Sequence, residues 1–174
     1  MTDDDEELVQ VEVIGVRQHR LDDEIVVLLL DPAAELLVPI LIGPNEASAI
    51  AAAQAGIVPP RPMTHDLLRD VLAALGVGLK RIEITSLTDG VFHAELVLTT
   101  GIRVDSRASD AIALAVRTGS PVLCSAEVIA IAGVEASSGT AEKELERFRE
   151  FLDQITPEDF DIGGNAGPPD RELP

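Results

Sequence analysis

Asn45-Glu-Ala-Ser-Ala-Ile-Ala51 and Arg107-Ala-Ser-Asp-Ala-Ile-Ala113 share Ala-Ile-Ala at a constant offset of 62 residues. Three small apolar identities would weigh little alone, because helices use alanine freely. Their weight comes from what precedes each stretch. Upstream of the first, Val9, Val11 and Val13 alternate with Gln10 and Glu12, Ile25 to Leu30 is a continuous apolar run, and Leu36 to Ile42 is a third β-rich segment. Upstream of the second, Arg81 to Leu87, Phe92 to Leu98 and Ile102 to Asp105 follow in the same order. Each set leads into an Ala-rich helix, Asn45 to Gln54 stopped by Gly56, and Ala108 to Arg117 stopped by Gly119. Strand–strand–strand–helix therefore occurs twice. This predicts an α+β fold with internally duplicated halves that form one sheet and pack helices on it.

The joints agree with that reading. Asp31-Pro-Ala-Ala-Glu35 and Thr88-Asp-Gly90 are turn sequences, Gln18 to Glu24 is a polar turn, and Pro39 within its strand suits an edge or a bulge. Between the halves, Ile57-Val-Pro-Pro-Arg-Pro62 is a stiff loop leading into a helix from His65 to Leu75. Thr64 suits its N-cap, and Leu67, Leu68, Val71, Leu72 and Leu75 form one apolar face. Pro121 to Cys124 reads as a short strand and Ala126 to Ile131 as a final turn or short helix, so the packed domain spans 8–134. Residues 135–174 are expected as a linker, an amphipathic helix from Thr140 to about Ile155, and a disordered Gly/Pro-rich tail. In that helix Leu145, Phe148, Leu152 and Ile155 form a stripe with Phe151 beside it. A lone helix of this length is marginal in water, so the stripe is expected to dock.

Charge is distributed unevenly. The chain of 174 residues carries −18, of which residues 1–7 hold −5 and residues 135–174 hold −7, leaving −6 for the 127 residues between them. The first seven residues read as a solvated acidic arm. This balance disfavours a tight general nucleic-acid binder, because phosphate backbones are held by clustered Lys and Arg. Phe92 is the sole aromatic of 8–134, which argues against a stacking platform for bases. The single cysteine, Cys124, makes neither an internal disulfide nor a cysteine zinc site. No apolar run reaches the ~20 residues that span a bilayer, and the acidic N-terminus is unlike a signal peptide. The expectation is a cytoplasmic protein with no membrane partner.

Two stretches concentrate polar residues that the fold does not need: Arg61-Pro-Met-Thr-His-Asp66 and Asp105-Ser-Arg-Ala-Ser-Asp110. Both open a helix, where free N–H groups and the positive dipole end favour an anion. Arg61 and Arg107 could contact phosphate in bidentate fashion. His65 could act as a general base or a ligand, and Asp66, Asp105 and Asp110 could hold a divalent cation that activates water. The plainer reading makes Thr64, Asp66, Ser109 and Asp110 helix caps, and pairs Arg61 or Arg107 with Asp105 or Asp110 to pin the helix starts together. Glu46, at the repeat-related helix start, is open among cap, ligand and surface acid. His19 and His93 receive no role, and Cys124 reads as a small buried residue.

Arg61-Pro-Met-Thr-His-Asp-Leu67, the Leu72–Gly76 helix end, Asp89-Gly-Val-Phe-His-Ala94 and Asp105-Ser-Arg-Ala-Ser-Asp-Ala-Ile-Ala-Leu-Ala-Val-Arg117 together resemble the bifunctional nuclease domain family across 8–134. Ala108 departs from that pattern, which commonly has proline in the first helical turn. The resemblance implies an oligomeric α+β protein and hydrolysis of phosphodiester bonds, since some plant members are credited with both DNase and RNase activity. It carries over His65, Asp66, Asp105 and Asp110 as catalytic candidates and Arg61, Thr64, Arg107 and Ser109 as substrate-binding ones, with magnesium or manganese as the expected cofactor. A metal-assisted nuclease requires the two motifs to converge in one cleft. A non-enzymatic oligomeric scaffold, with its acidic C-terminal extension free for a protein partner, requires capped helices and Arg–Asp pairs instead. Binding of a small anionic ligand lies between them.

Overall fold

The computed structural model describes residues 7–18 and 24–136; the expected acidic arm (but for Glu7), most of the polar turn at 18–24 with His19, and the C-terminal helix and tail lie outside them. Eight strands form one sheet: β1 (Leu8–Gln18), β2 (Ile25–Asp31), β3 (Leu36–Ile42), β4 (Leu79–Thr88), β5 (Val91–Leu98), β6 (Arg103–Arg107), β7 (Val122–Ser125) and β8 (Val134–Glu135). Four helices pack on it: α1 (Pro44–Gln54), α2 (Thr64–Ala74), α3 (Ala108–Thr118) and α4 (Ala126–Ala132). The duplication is present as β1-β2-β3-α1 and β4-β5-β6-α3.

The sheet order is β6-β5-β4-β7-β1-β2-β3-β8. Each half is an antiparallel meander, and β7 joins them, parallel to β4 and antiparallel to β1. β1 serves both neighbours because it bends. Its first residues, Leu8–Val11, pair with β7, whereas Glu12–Gln18 pair with β2 across a bulge between Val13 and Gly15. Gly15 adopts φ 141°, a conformation that a side chain would resist. The β4–β5 hairpin closes through Asp89 and Gly90, both at positive φ, as a tight two-residue turn requires. β8 covers only Leu36 and Leu37, so Pro39 stands where the outer side of β3 has no partner, and its missing N–H breaks no ladder there.

The shared Ala-Ile-Ala marks the centre of the core. Ala49, Ile50 and Ala51 in α1 and Ala111, Ile112 and Ala113 in α3 are all buried, and the two helices pack against each other. Small residues allow that approach, while Ile50 and Ile112 fill the space above Leu29, Ile82 and Ile84 in one cluster. α2 differs. Its main neighbour is α3, and none of its residues is buried; of the expected apolar face, only Leu72 packs on the core.

Candidate functional site

Three helices begin near one another. α1 starts at Pro44 with Glu46 in its first turn, α2 starts at Thr64, and α3 starts at Ala108 directly out of β6. The stop of β6 at Arg107 fixes where α3 begins, so Arg107 is the α3 N-cap. At α2 the expected cap is displaced by one residue. Met63 holds the N-cap position in extended backbone, and Asp66 reaches back to accept the Met63 N–H at 3.0 Å. A carboxylate at the third helical position does the work assigned to the Thr64 hydroxyl, and Thr64 is an exposed first-turn residue.

Asp110 is the hub. His65 Nε2 lies 3.0 Å from its Oδ1, Arg107 Nε donates to its Oδ2 at 2.6 Å, and Arg107 Nη2 donates to Oδ1 at 3.0 Å. The same Nη2 donates to Glu46 Oε1 at 3.0 Å, which ties in α1. Partial burial alone would raise the Asp110 pKa; hydrogen bonds from Arg107 and His65 outweigh it and hold the carboxyl below its ordinary range. Arg107 is pushed up in turn by Asp110 and Glu46. An ionised Asp110 only accepts, so His65 Nε2 is the donor in this contact, and in the neutral ring the lone pair falls on Nδ1. Nδ1 and the two Arg107 Nη1 hydrogens have no protein partner among the described residues, and the Arg107 side chain is 66% exposed.

A second pair lies one residue along α2. Arg117 Nε donates to Asp66 Oδ1 at 2.8 Å while its Nη1 donates to the Ala113 carbonyl at 2.9 Å. Burial pushes the Asp66 carboxyl up, but Arg117 and the Met63 N–H bring it below the usual value. Arg117 is the residue that sequence reasoning passed over as a helix end. Its signal was position: it follows Ala113 and Leu114, both buried, by four and three residues, so the core-facing side of α3 carries it inward.

The remaining candidates are not gathered here. Asp105 lies on β6 opposite Glu95, exposed and without an ion pair among the described residues; Arg61 is likewise exposed and unpaired in the loop before α2. Ser109 is buried and lines a groove of about 250 Å³ with Arg107, Gly43, Ile42 and Phe92. A second groove of about 250 Å³ lies beyond Asp66, between Pro59, Pro62, Arg69 and Arg117. The junction of the helix starts stands between these two openings.

Magnesium and manganese need several free oxygen ligands. Both oxygens of Asp110 are taken by Arg107, with His65 also on Oδ1, and both of Asp66 by Arg117 and a backbone N–H, while Asp105 is elsewhere. No group of three or more His, Cys, Asp or Glu among the described residues is arranged to hold a metal. As arranged, these donors do not fit a resident divalent ion. The arrangement suits orientation of one imidazole and presentation of one guanidinium.

Comparison with known proteins gives this geometry a context. Residues 27–137 match the family model described as the bifunctional nuclease domain. Two Mycobacterium tuberculosis proteins, from strains CDC 1551 and H37Rv and each named only as uncharacterized, are 42% identical over 159 residues, covering 87% of this chain and 97% of theirs. Bifunctional nuclease 1 of Oryza sativa subsp. japonica is 25% identical over 103 residues, 56% of this chain and 31% of the rice protein. No described helix is long and apolar enough to cross a membrane.

Proposed function

The chain belongs to the bifunctional nuclease domain family, and from that premise we propose that it hydrolyses phosphodiester bonds in DNA and RNA where α1, α2 and α3 begin. The observation that supports this reading is the His65–Asp110 contact at 3.0 Å with Arg107 on the same carboxylate. Asp110 orients the imidazole and stabilises it when protonated. His65 Nδ1 then accepts a proton from water, or from a ribose 2′-hydroxyl in RNA, as that oxygen attacks phosphorus. The P–O bond to the bridging oxygen opposite it breaks, and the departing alkoxide is protonated by solvent, which yields a phosphomonoester and an alcohol with water or a 2′,3′-cyclic phosphate with the ribose hydroxyl. The free Nη1 hydrogens of Arg107 hold a non-bridging phosphate oxygen and offset the charge that grows there. Arg61, exposed before α2, contacts an adjacent phosphate. Asp66 and Arg117 fix the angle of α2, and so the position of His65, as positioning residues.

The first experiment is cleavage of labelled single- and double-stranded DNA and RNA in magnesium, manganese or EDTA, with identically purified His65→Ala as the control for contaminating nuclease. Cleavage in the parent, lost in the variant and retained in EDTA, is the expected result. Cleavage that EDTA abolishes but His65→Ala also loses would restore the metal-assisted route, with the ion brought by the substrate. Equal cleavage by both proteins would overturn the site.

One observation favours the alternative of a binding or scaffold protein: both oxygens of Asp66 and of Asp110, and one of Glu46, are taken by neighbouring side chains or an N–H. In that case no cleavage is seen, and the Arg107 pairs serve only to lock the helix starts.

A further inference from the structure

The groove beside Arg107 is built by parts of the chain that the sheet order sets far apart. Ile40 and Ile42 of β3 line it together with Val91 and Phe92 of β5, although β4, β7, β1 and β2 lie between those strands. Five strand spacings come to about 24 Å in a flat sheet, so the sheet curls until its two halves approach, and α3 packs on both β3 and β5 at that seam. Ile40 and Ile42 belong to the core and Phe92 packs against it, which fixes the walls.

Ser109, in the first turn of α3, stands apart from the other buried polar residues. Asp31 accepts the Ala33 and Ala34 N–H groups, Glu83 holds Arg81 and Arg103, and Ser125 accepts the Glu127 N–H. Ser109 is only 9% exposed, yet its hydroxyl has no hydrogen-bond partner among the described residues, and it lines the groove. A buried hydroxyl without a partner is costly, so one left open to a groove marks where the polar edge of a ligand belongs.

The surroundings select that ligand. Of the residues lining the groove only Arg107 is charged. Its Nε and Nη2 are engaged by Asp110 and Glu46, and Nη1 is left for phosphate. A second anion here would find no further cation and would sit beside two carboxylates. A neutral, flat group with apolar faces and a hydrogen-bonding edge suits the walls better. The volume of about 250 Å³ is below the ~300 Å³ at which sites for drug-sized ligands begin, so the groove takes one ring system. Phe92, too isolated to make a platform for several bases, supplies a face for one.

We propose that this groove holds the base of the nucleotide whose phosphate Arg107 binds, a reading that rests on the phosphate contact put forward above and not on hydrolysis. Phe92 lies against the ring and the Ser109 hydroxyl meets its edge. A hydroxyl both donates and accepts, and turns to suit its partner, so purines and pyrimidines are both accepted and the site has little sequence preference.

Binding rather than turnover tests this. Amide chemical shifts of the full chain are followed in EDTA with adenosine 5′-monophosphate, cytidine 5′-monophosphate and ribose 5-phosphate as probes. Both nucleotides should move the amides of Ile42, Phe92 and Ser109, and should bind at least tenfold more tightly than ribose 5-phosphate, as contact with one base provides. Ser109→Ala should weaken nucleotide binding about fivefold and leave ribose 5-phosphate binding unchanged. Because that hydroxyl has no protein partner, the melting temperature of the variant should not fall. Phe92→Leu, which keeps an apolar wall, should bring the nucleotides close to ribose 5-phosphate. Equal binding of the three probes, no binding of either nucleotide, or binding that leaves the groove amides unmoved would each overturn the proposal. A lower melting temperature for Ser109→Ala with nucleotide binding intact would make the hydroxyl structural and overturn it too. Nucleotide binding in the groove by a chain that cleaves nothing would uphold this proposal while the nuclease reading fails; cleavage with unmoved groove amides would do the reverse.

Discussion

Arg117 in the last turn of α3 holds Asp66 in the first turn of α2 at 2.8 Å, and with side chains 5% and 13% exposed this pair is deeper than the His65–Asp110 contact beside it. α2 buries no residue of its own, so this ion pair, the His65–Asp110 contact and Leu72 are its principal attachments among the described residues.

Asp66→Ala should therefore destabilise the protein by about 2 kcal/mol, since it leaves the Arg117 guanidinium buried without its carboxylate and removes the acceptor for the Met63 N–H. Arg107→Ala, at a side chain that is mostly exposed, should cost less than about 1 kcal/mol. Urea unfolding of the two variants checks the order, and equal losses would contradict it.

How much of this could be read beforehand follows from the range of each cause. The twofold strand–strand–strand–helix order is written in alternation, run length and glycine stops, all local, and it appears as such. The insertion of β7 between β4 and β1 is set by pairing between distant segments, and no local pattern carries it. The helix-start motifs were visible as polar residues in surplus, and His65, Arg107 and Asp110 do meet. Asp105 does not join them, because a residue three positions before the α3 start is still on the β6 edge and faces Glu95. Glu46 was noticed without a role; its link to Arg107 crosses 61 residues and exists only once α1 and α3 pack.

Glu83 should be the costliest carboxylate to neutralise. Its side chain is 3% exposed and takes hydrogen bonds from Arg81 at 2.6 Å and from Arg103, which also holds Glu95, so one buried charge joins β4, β5 and β6. Glu83→Gln keeps the shape and removes the charge. A loss of about 3 kcal/mol is expected, because two guanidinium groups lose their shared counter-charge. A melting temperature equal to the parent's would show the network to be ornamental.

Acid stability has a definite sign. Burial raises the carboxyls of Asp66, Asp110 and Glu83, yet their arginine partners win and hold all three below their ordinary values. A carboxylate depressed in the folded state contributes fully above its unfolded pKa, and loses that contribution as pH falls through the folded value. The melting temperature should thus be nearly flat from about pH 7 to pH 5 and drop steeply below about pH 4. Asp66→Asn should make the acid limb shallower, and an unchanged limb would remove Asp66 from the account.

Cys124 should resist thiol reagents in the native protein. It is fully buried on β7, and desolvation, aided by the Asp31 charge, pushes its thiol up to about 12. Labelling by a chromogenic disulfide should proceed only as fast as the chain opens, and should become immediate in denaturant. Rapid labelling of the folded chain would mean that the β1–β7–β4 seam breathes.

Arg107 and His65 should separate kinetically if the junction hydrolyses phosphodiesters. His65→Ala removes the base, so kcat should fall at least a hundredfold with little change in KM. Arg107→Lys keeps a positive charge but loses the fork. The guanidinium uses Nε and Nη2 on Asp110 and Glu46 and leaves Nη1 for substrate, whereas an ammonium cannot satisfy three separate partners in that plane. KM should therefore rise along with a moderate loss of kcat, and the defect should grow with ionic strength as the remaining point charge is screened. If Arg107→Lys instead left KM untouched and lowered stability alone, the guanidinium would be a brace between helices and the phosphate contact would have to be sought at Arg61.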